Sequence, residues 1–372
     1  MSRGVVRKFE RRPSSSTVVD TRILARHRYR EITVIAALAA ALALVFLLSL
    51  VLGSVWIPIG QIADILTGNE PAGRPAYAVI HEVRLPRSLT ALLAGAALGI
   101  AGLQMQTIFR NPLADPFALG ISSSASLGVA LVVLGSGVGS ASIFGAGLGL
   151  RGEALIIVAA IAGSGLMLAV VLAVSARISN PATILILGLM SGYATSAFVT
   201  ILVAGTDSEQ LQQWVMWGFG TFSGVTWRRL NMFTPLIAIG LSVAALMTKQ
   251  LNAMLLGENY ARSMGLSVRR TRILTMAAAS LLGGVVTAFC GPISFLGIAV
   301  PHICRALLGT SDHRALVPAS ILMGGIVALI AQIGALLPGD AGVLPLNAVT
   351  ALIGAPVVVA VLLRSRRGVF TA

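Results

Sequence analysis

The sequence predicts an all-α, polytopic membrane protein with about ten transmembrane helices, and three observations carry that prediction. Of 372 residues, 56% are hydrophobic and only 11% charged, against about 25% charged in an ordinary soluble domain. The apolar residues fall in unbroken runs near the roughly 17–25 residues that cross a bilayer, without the every-second-residue alternation of an outer-membrane barrel. Forty glycines outnumber 12 Phe, 4 Trp and 4 Tyr, a composition suited to helices that pack closely in lipid. Cys290 and Cys304 both lie in apolar stretches and supply no disulfide framework.

In chain order the runs cover residues 32–53, 88–107, 118–135, 154–174, 183–204, 231–248, 273–290, 294–308, 316–337 and 346–363. The eighth is short and follows a Gly291-Pro292 break, so parity has to decide whether it crosses. Nine Lys and Arg lie within residues 1–31, and Arg364, Arg366 and Arg367 close the chain. Basic flanks stay in the cytoplasm, which places both termini inside and requires an even number of spans. With ten spans, 21 of the Lys and Arg fall on the inner side and 6 on the outer side. The net charge of +14 is then a consequence of topology. Because these residues are spread over tails and short loops instead of one face, nucleic acid is not an expected partner. The predicted organisation is a disordered basic cytoplasmic tail over 1–31, a transmembrane domain over 32–363 in the cytoplasmic (inner) membrane, and a second basic tail over 364–372.

All thirteen acids fall in loops, tails or span ends, whereas an ion-driven carrier usually buries a titratable ligand within its spans. His302, beside Pro301, reads more readily as a capping or packing residue than as a proton relay. The chain contains no G-x-x-x-x-G-K-[ST], H-E-x-x-H, paired C-x-x-C or G-x-S-x-G element. It is therefore expected to be no enzyme, to bind no cofactor or metal of its own, and to take its driving force from another polypeptide. An ion-coupled secondary transporter with a site of unwound carbonyls is the alternative from another class.

Three loops are richer than connectors need to be. In the first, residues 81–87, Arg84 and Arg87 flank Leu85-Pro86; Pro86 favours an extended Leu85 and can open a helix, so both guanidiniums can project at the membrane face or serve as interfacial anchors. In the second, residues 110–116, Asn111 and Leu113 flank Pro112 and form either a helix cap or a narrow gate. The third is the inner loop over 249–272. Within it Glu258 to Leu266 can form one or two helical turns interrupted at Gly265, exposing Tyr260, Met264 and Leu266 to a partner; a solvated connector is the alternative. Span five carries Gly188, Ser191, Gly192, Thr195, Ser196 and Thr200 at helical spacing, a packing face before it is a pathway lining.

Together with Pro301-His302-x-x-Arg305, Asp312-His313-Arg314, Trp214-x-x-Trp217-Gly218 and Leu352-Ile353-Gly354-Ala355-Pro356, these loops resemble the iron-siderophore and vitamin B12 (FecCD-type) permease family of binding-protein-dependent, ATP-driven importers. The resemblance runs from about Trp56 to Leu363. It implies a type II ABC importer permease architecture. It also implies that Gly257, Glu258, Tyr260, Ala261, Arg262, Met264, Gly265 and Leu266 form the coupling element seated on the ATPase. By the same resemblance Arg84 and Arg87 dock an extracytoplasmic substrate-binding protein, Asn111 and Leu113 belong to the cytoplasmic gate, and Ser191 and Thr195 line the route at the dimer axis. The implied partners are two ATPase subunits, which use ATP and Mg, the binding protein, and a second permease, identical or paralogous. The implied cargo is a ferric siderophore, with cobalamin or haem as the alternative. The chain also departs from the family. Gln332 and Leu336 stand where many relatives have Asp and Arg, Val343 stands where they have Glu, and Asn180-Pro181 differs from the B12-importer pattern at a second gate position.

Overall fold

The computed structural model describes residues 21–53, 57–68, 75–135, 153–178, 180–336 and 344–369. Expectations for residues 1–20 and for Trp56 and Val343 lie outside the described residues. The helices are α1 (Thr21–Val51), α2 (Ile59–Leu66), α3 (Pro75–Phe109), α4 (Ile121–Val133), α5 (Glu153–Arg177), α6 (Pro181–Ala204) and α7 (Ser208–Gly218). They continue with α8 (Trp227–Leu246), α9 (Thr248–Leu255), α10 (Glu258–Ser263), α11 (Val268–Cys290), α12 (Leu296–Leu308), α13 (His313–Leu336) and α14 (Leu346–Val369). Seven are long and apolar enough to cross a membrane, and α4, α12 and the Leu346–Ala360 part of α14 are shorter apolar helices. Together they match the ten predicted runs.

Burial sorts the helices into a hub and a rim. The apolar windows of α3, α11 and α13 are 83%, 78% and 72% buried, whereas those of α1, α5, α6 and α8 are 17–28% buried. Small residues let the hub backbones meet. A Cβ added to Gly95 would stand 2.1 Å from the Gly324 carbonyl oxygen, and one on Gly102 only 1.7 Å from that of Gly297. Lipid offers apolar side chains no less welcome than the protein interior does, so this close van der Waals approach is what holds the helices together.

The doubtful eighth crossing resolves into a short helix and a buried turn. The thirteen residues of α12 span about 20 Å, short of a hydrocarbon core of about 30 Å. The turn before it has its backbone polar groups covered by protein. Thr221 N donates to Cys290 O at 2.7 Å, Ser294 N to Asn347 Oδ1 at 3.0 Å, and Asn347 N to Phe219 O at 3.0 Å. Irregular backbone at membrane depth needs such cover.

Two helices outrun their apolar runs. α1 is already helical at Thr21, before the apolar onset at Ile32, and α14 continues to Val369. Neither Gly nor Pro interrupts the chain between Thr21 and Gly53, so the helix-favouring Arg, Leu, Ala and Glu residues extend the turn beyond the lipid-facing segment.

Candidate functional site

Polar groups gather at two opposite faces of the bundle, and α3 reaches both. One face carries Arg110, the α9–α10 segment and the α12–α13 turn; it is called the α10 face below. The far face carries Arg84, Arg87, α7 and the start of α14.

At the α10 face the connection between α8 and α11 is a short amphipathic projection. Gly257 enters α10 with φ 117°, and Gly265 leaves it with φ 81°, conformations that glycine adopts without a Cβ penalty. Gly265 N donates to Arg262 O at 2.9 Å and Leu266 N to Ala261 O at 3.0 Å, the paired bonds of a Schellman stop. Ala261 is fully buried, while Tyr260 and Met264 are 55% and 51% exposed. Leu266 differs from the expectation of exposure: it packs against the apolar core, as the residue after a Schellman glycine commonly does. Glu258 forms ion pairs with Arg262, at 3.4 Å, and with the buried Arg272 of α11.

The gate candidates lie beside this projection. Arg110 ends α3 in the left-handed region, φ 46°, and its Nη2 donates to Met254 O at 3.2 Å. Asn111 does not cap a helix; its Oδ1 accepts from Leu113 N at 3.0 Å, a local turn that leaves Leu113 38% exposed. His302 Nε2 donates to Pro112 O at 2.8 Å, which gives His302 the capping role. Asn180 Oδ1 accepts from Ala182 N and caps α6. Asp115 accepts from Ala118 N at 2.8 Å, yet burial pushes its carboxyl up to about 6.

Behind them stands a network that the loop motifs did not disclose. Asn252 Nδ2 donates to Asp312 Oδ1 at 2.6 Å, and Asn252 Oδ1 accepts from His313 N and Nδ1, both at 2.8 Å. His313 Nε2 then meets the Thr107 hydroxyl at 2.9 Å. Arg305 donates to Gln106 Oε1 at 2.5 Å, while Gln106 Nε2 donates to the carbonyls of Gly297 and Ile298. The signal for these residues was present as Gln106 and Thr107 inside an apolar run, where an amide or hydroxyl needs a partner.

At the far face α3 contains a π-helical turn over Val79–Arg84. Its widened backbone places His81 in a stack on Tyr77 and beside Trp227, whose Nε1 donates to His81 O at 2.7 Å. The two arginines part ways. Arg84 is 7% exposed and its Nη1 donates to Leu50 O at 2.6 Å and Val51 O at 2.9 Å, capping the end of α1. Arg87 is half-buried and lines a cavity of about 160 Å3 with Phe219, Thr221, Gln332, Ala335 and Leu346. Arg87 Nε and Gln332 Oε1 are both buried there without a hydrogen-bond partner. Leu336 is not among the cavity-lining residues.

Ser191 and Thr195 line an apolar groove of about 750 Å3 between α4, α5 and α6. The start of the small-residue stripe of α6 packs on α4 and the turn before it: a Cβ on Gly188 would meet the Ala118 carbonyl at 2.3 Å, and Gly192 lies against Ser123; Ser196 and Thr200 of the stripe are exposed. The other side of α6 exposes Ile186, Met190, Tyr193 and Ile201.

By its likeness to known proteins the chain is the membrane-spanning permease of an ABC importer, a transport component and not an enzyme. The chain belongs to the FecCD transport family, whose model matches residues 40–364. It is 38% identical over 330 residues to the vitamin B12 import system permease protein BtuC of Klebsiella pneumoniae, covering 88% of this chain and 93% of that one. The Shigella boydii protein of the same name is 37% identical over 346 residues, covering 92% and 99%. Among solved structures, one described as an inward-facing conformation of a metal-chelate type ABC transporter matches with a TM-score of 0.76 and 27% identity, over 89% of this chain and 99% of that one.

Proposed function

We propose that this permease imports a corrinoid of the vitamin B12 type, pairing with a second permease copy, two ATPase subunits and an extracytoplasmic binding protein. Identity of 37–38% across 93–99% of the length of vitamin B12 permeases supports the cargo and moves it ahead of the ferric siderophore that the motifs alone implied. The ferric siderophore is the second reading, favoured by the solved relative described as metal-chelate type. The observation that carries the ATP-driven mechanism is α10, a short helix with Tyr260 and Met264 exposed while Ala261 and the Glu258–Arg272 pair hold its base. In this reading the α10 face is cytoplasmic, as the 21-to-6 partition of basic charge requires. Gly257, Glu258, Tyr260, Ala261, Arg262, Met264, Gly265 and Leu266 seat the chain on the ATPase.

The far-face cavity receives the binding protein. Arg87 brings an uncompensated charge to it, and a carboxylate from a partner would accept from the guanidinium. Arg84 contributes from behind by fixing the end of α1. Asn111 and Leu113 form the inner constriction, and the groove by Ser191 and Thr195 lies along the route. Closure of the ATPases rocks α10 and switches access between the faces.

The test is reconstitution in proteoliposomes with the cognate ATPase and binding protein. Cyanocobalamin uptake that needs both ATP and the binding protein is expected. Uptake of a ferric hydroxamate instead transfers the assignment to the second reading. Uptake driven by an ion gradient without any ATPase overturns both.

A further inference from the structure

The α10 projection has two polar anchors, and they lead to different helices. Towards the chain that follows it, the first residue of α10, Glu258, is tied to Arg272 of α11. On its N-terminal side, α9 is tied through Asn252 to Asp312 and His313 at the start of α13, and through His313 to Thr107 near the end of α3. Asn252 fits this place because its amide supplies a donor and an acceptor side by side. The donor meets the Asp312 carboxylate; the acceptor takes both the backbone N–H and the ring N–H of His313. With Nδ1 donating, Nε2 of a neutral imidazole is an acceptor 2.9 Å from the Thr107 hydroxyl, whose one proton it shares with the Leu103 carbonyl at 2.8 Å, so one side chain orients a relay across three elements. His313 is 1% exposed and Thr107 4%. Such a buried relay has discrete arrangements and loses much of its strength when one member is removed.

We propose that Asn252 is a positioning residue of the transport cycle, the joint through which displacement of α10 reaches the α12–α13 turn and the gate-bearing end of α3. The proposal rests on the reading of α10 as the ATPase-seated element. Pro112 and Leu113 lie just past Arg110 and Asn111 at the end of α3, and Pro112 O is held by His302 of α12. Asn252 thus reaches, through His313 and Thr107, the end of α3 that leads into the segment proposed above as the inner constriction. Apolar packing between α9 and α13 would hold the helices together equally well; the hydrogen-bonded joint instead fixes their direction and register.

A charge-swap experiment tests this in the assembled complex. Asn252→Asp keeps acceptors for His313 but sets two carboxylates against each other at the Asp312 contact. Binding-protein-stimulated ATPase activity and cargo uptake are expected to fall by about tenfold, while the ATPase still co-purifies. Adding Asp312→Asn restores the donor on the opposite partner, and the amide oxygen it introduces can still cap α13; both readouts are expected to recover to within about twofold of wild type. An Asn252→Asp variant that transports normally, or a double variant no better than the single one while the complex assembles, would overturn the proposal. Failure of the underlying reading shows separately, as absence of ATPase stimulation or co-purification in the wild-type chain.

Discussion

The two ends of α3 hold buried polar groups in opposite ways. At the α10 end, Gln106 and Thr107 are tied into a lattice with Arg305, His313 and Asn252. At the far end, Arg87 and Gln332 line a shared cavity, and Arg87 Nε and Gln332 Oε1 are buried without a hydrogen-bond partner. An unpartnered buried polar atom costs about 1–3 kcal/mol; the amide of Gln104, two residues before Gln106, carries that cost too, so what sets the far end apart is the cavity beside Arg87. Under the proposed function, the hydrogen-bonded end transmits and the cavity end receives. The same rigid helix connects them, which is what an importer needs if docking on one side is to be felt on the other.

The largest effect is expected from breaking that connection. Replacing Gly102 by Ala places a methyl carbon 1.7 Å from the Gly297 carbonyl oxygen, an overlap that only separation of α3 from α12 can relieve. A loss of about 4 kcal/mol or more follows for a backbone clash in a close-packed hub. Detergent-extracted protein is expected to aggregate in size-exclusion chromatography. A monodisperse Gly102→Ala variant with normal uptake would show that the hub is looser than its geometry.

Next in size is the receiving end. Gln332→Glu introduces a carboxylate into the cavity that Arg87 lines, where it can form a charge-assisted bond and occupy the site from within. Affinity for the binding protein is expected to fall by about tenfold or more, and Arg87→Ala to fall as far. Arg87→Lys is expected to recover only part of the affinity, since a point charge does not reproduce the guanidinium fork. Unchanged affinity in Gln332→Glu, measured by surface plasmon resonance on the purified permease complex, would remove the cavity from the docking site.

How much of this contrast was legible in the sequence depends on the kind of signal. Membrane spans announce themselves through long apolar runs, so the number and order of the apolar helices could be read directly, including the short one that ends at Leu308. The α10 projection was readable because Gly257, Gly265 and the amphipathic turn between them are local. Arg84 and Arg87 were visible as a pair, but their separation into a cap and a cavity residue depends on where the carbonyls of Leu50 and Val51 arrive. Asn252, Thr107 and His313 are far apart in the chain, and no periodicity links an amide in one loop to a hydroxyl two helices away. Leu266 turned inward because the Schellman stop at Gly265 reverses the chain, a geometric consequence that a hydropathy count does not contain.

The transmitting end offers a smaller, more local change. Met264→Glu combined with Gly265→Lys removes the exposed apolar contact and forces a side chain onto φ 81°, at about 1–2 kcal/mol of backbone strain. The open surroundings of Gly265, with nothing within 4 Å of an added Cβ, confine the damage to the projection. Membrane insertion and binding-protein affinity are expected to persist, while ATPase co-purification and uptake are lost. Retained ATPase association would break the assignment of α10 and, with it, the transmitting half of the contrast.

The smallest effect concerns Asp115, beside the gate segment, and it sharpens the contrast by locating the one loop carboxyl at the α10 face, among the described residues, that burial disfavours. Its ordinary value of 3.8 rises to about 6 in the folded chain, so the native state holds a proton that the unfolded state has released between those limits. Stability therefore falls as pH rises from about 4 through about 6, and is constant for this group above that window. Partial exposure screens the difference, which leaves an expected contribution of about 1 kcal/mol. Asp115→Asn keeps an acceptor for the Ala118 N–H and removes the titration. In paired thermal melts the wild-type chain is expected to lose a few degrees relative to Asp115→Asn between pH 4 and pH 7, with uptake unchanged. Parallel curves for the two proteins would mean that the carboxyl reaches water more freely than its place between Ala114 and Pro116 allows.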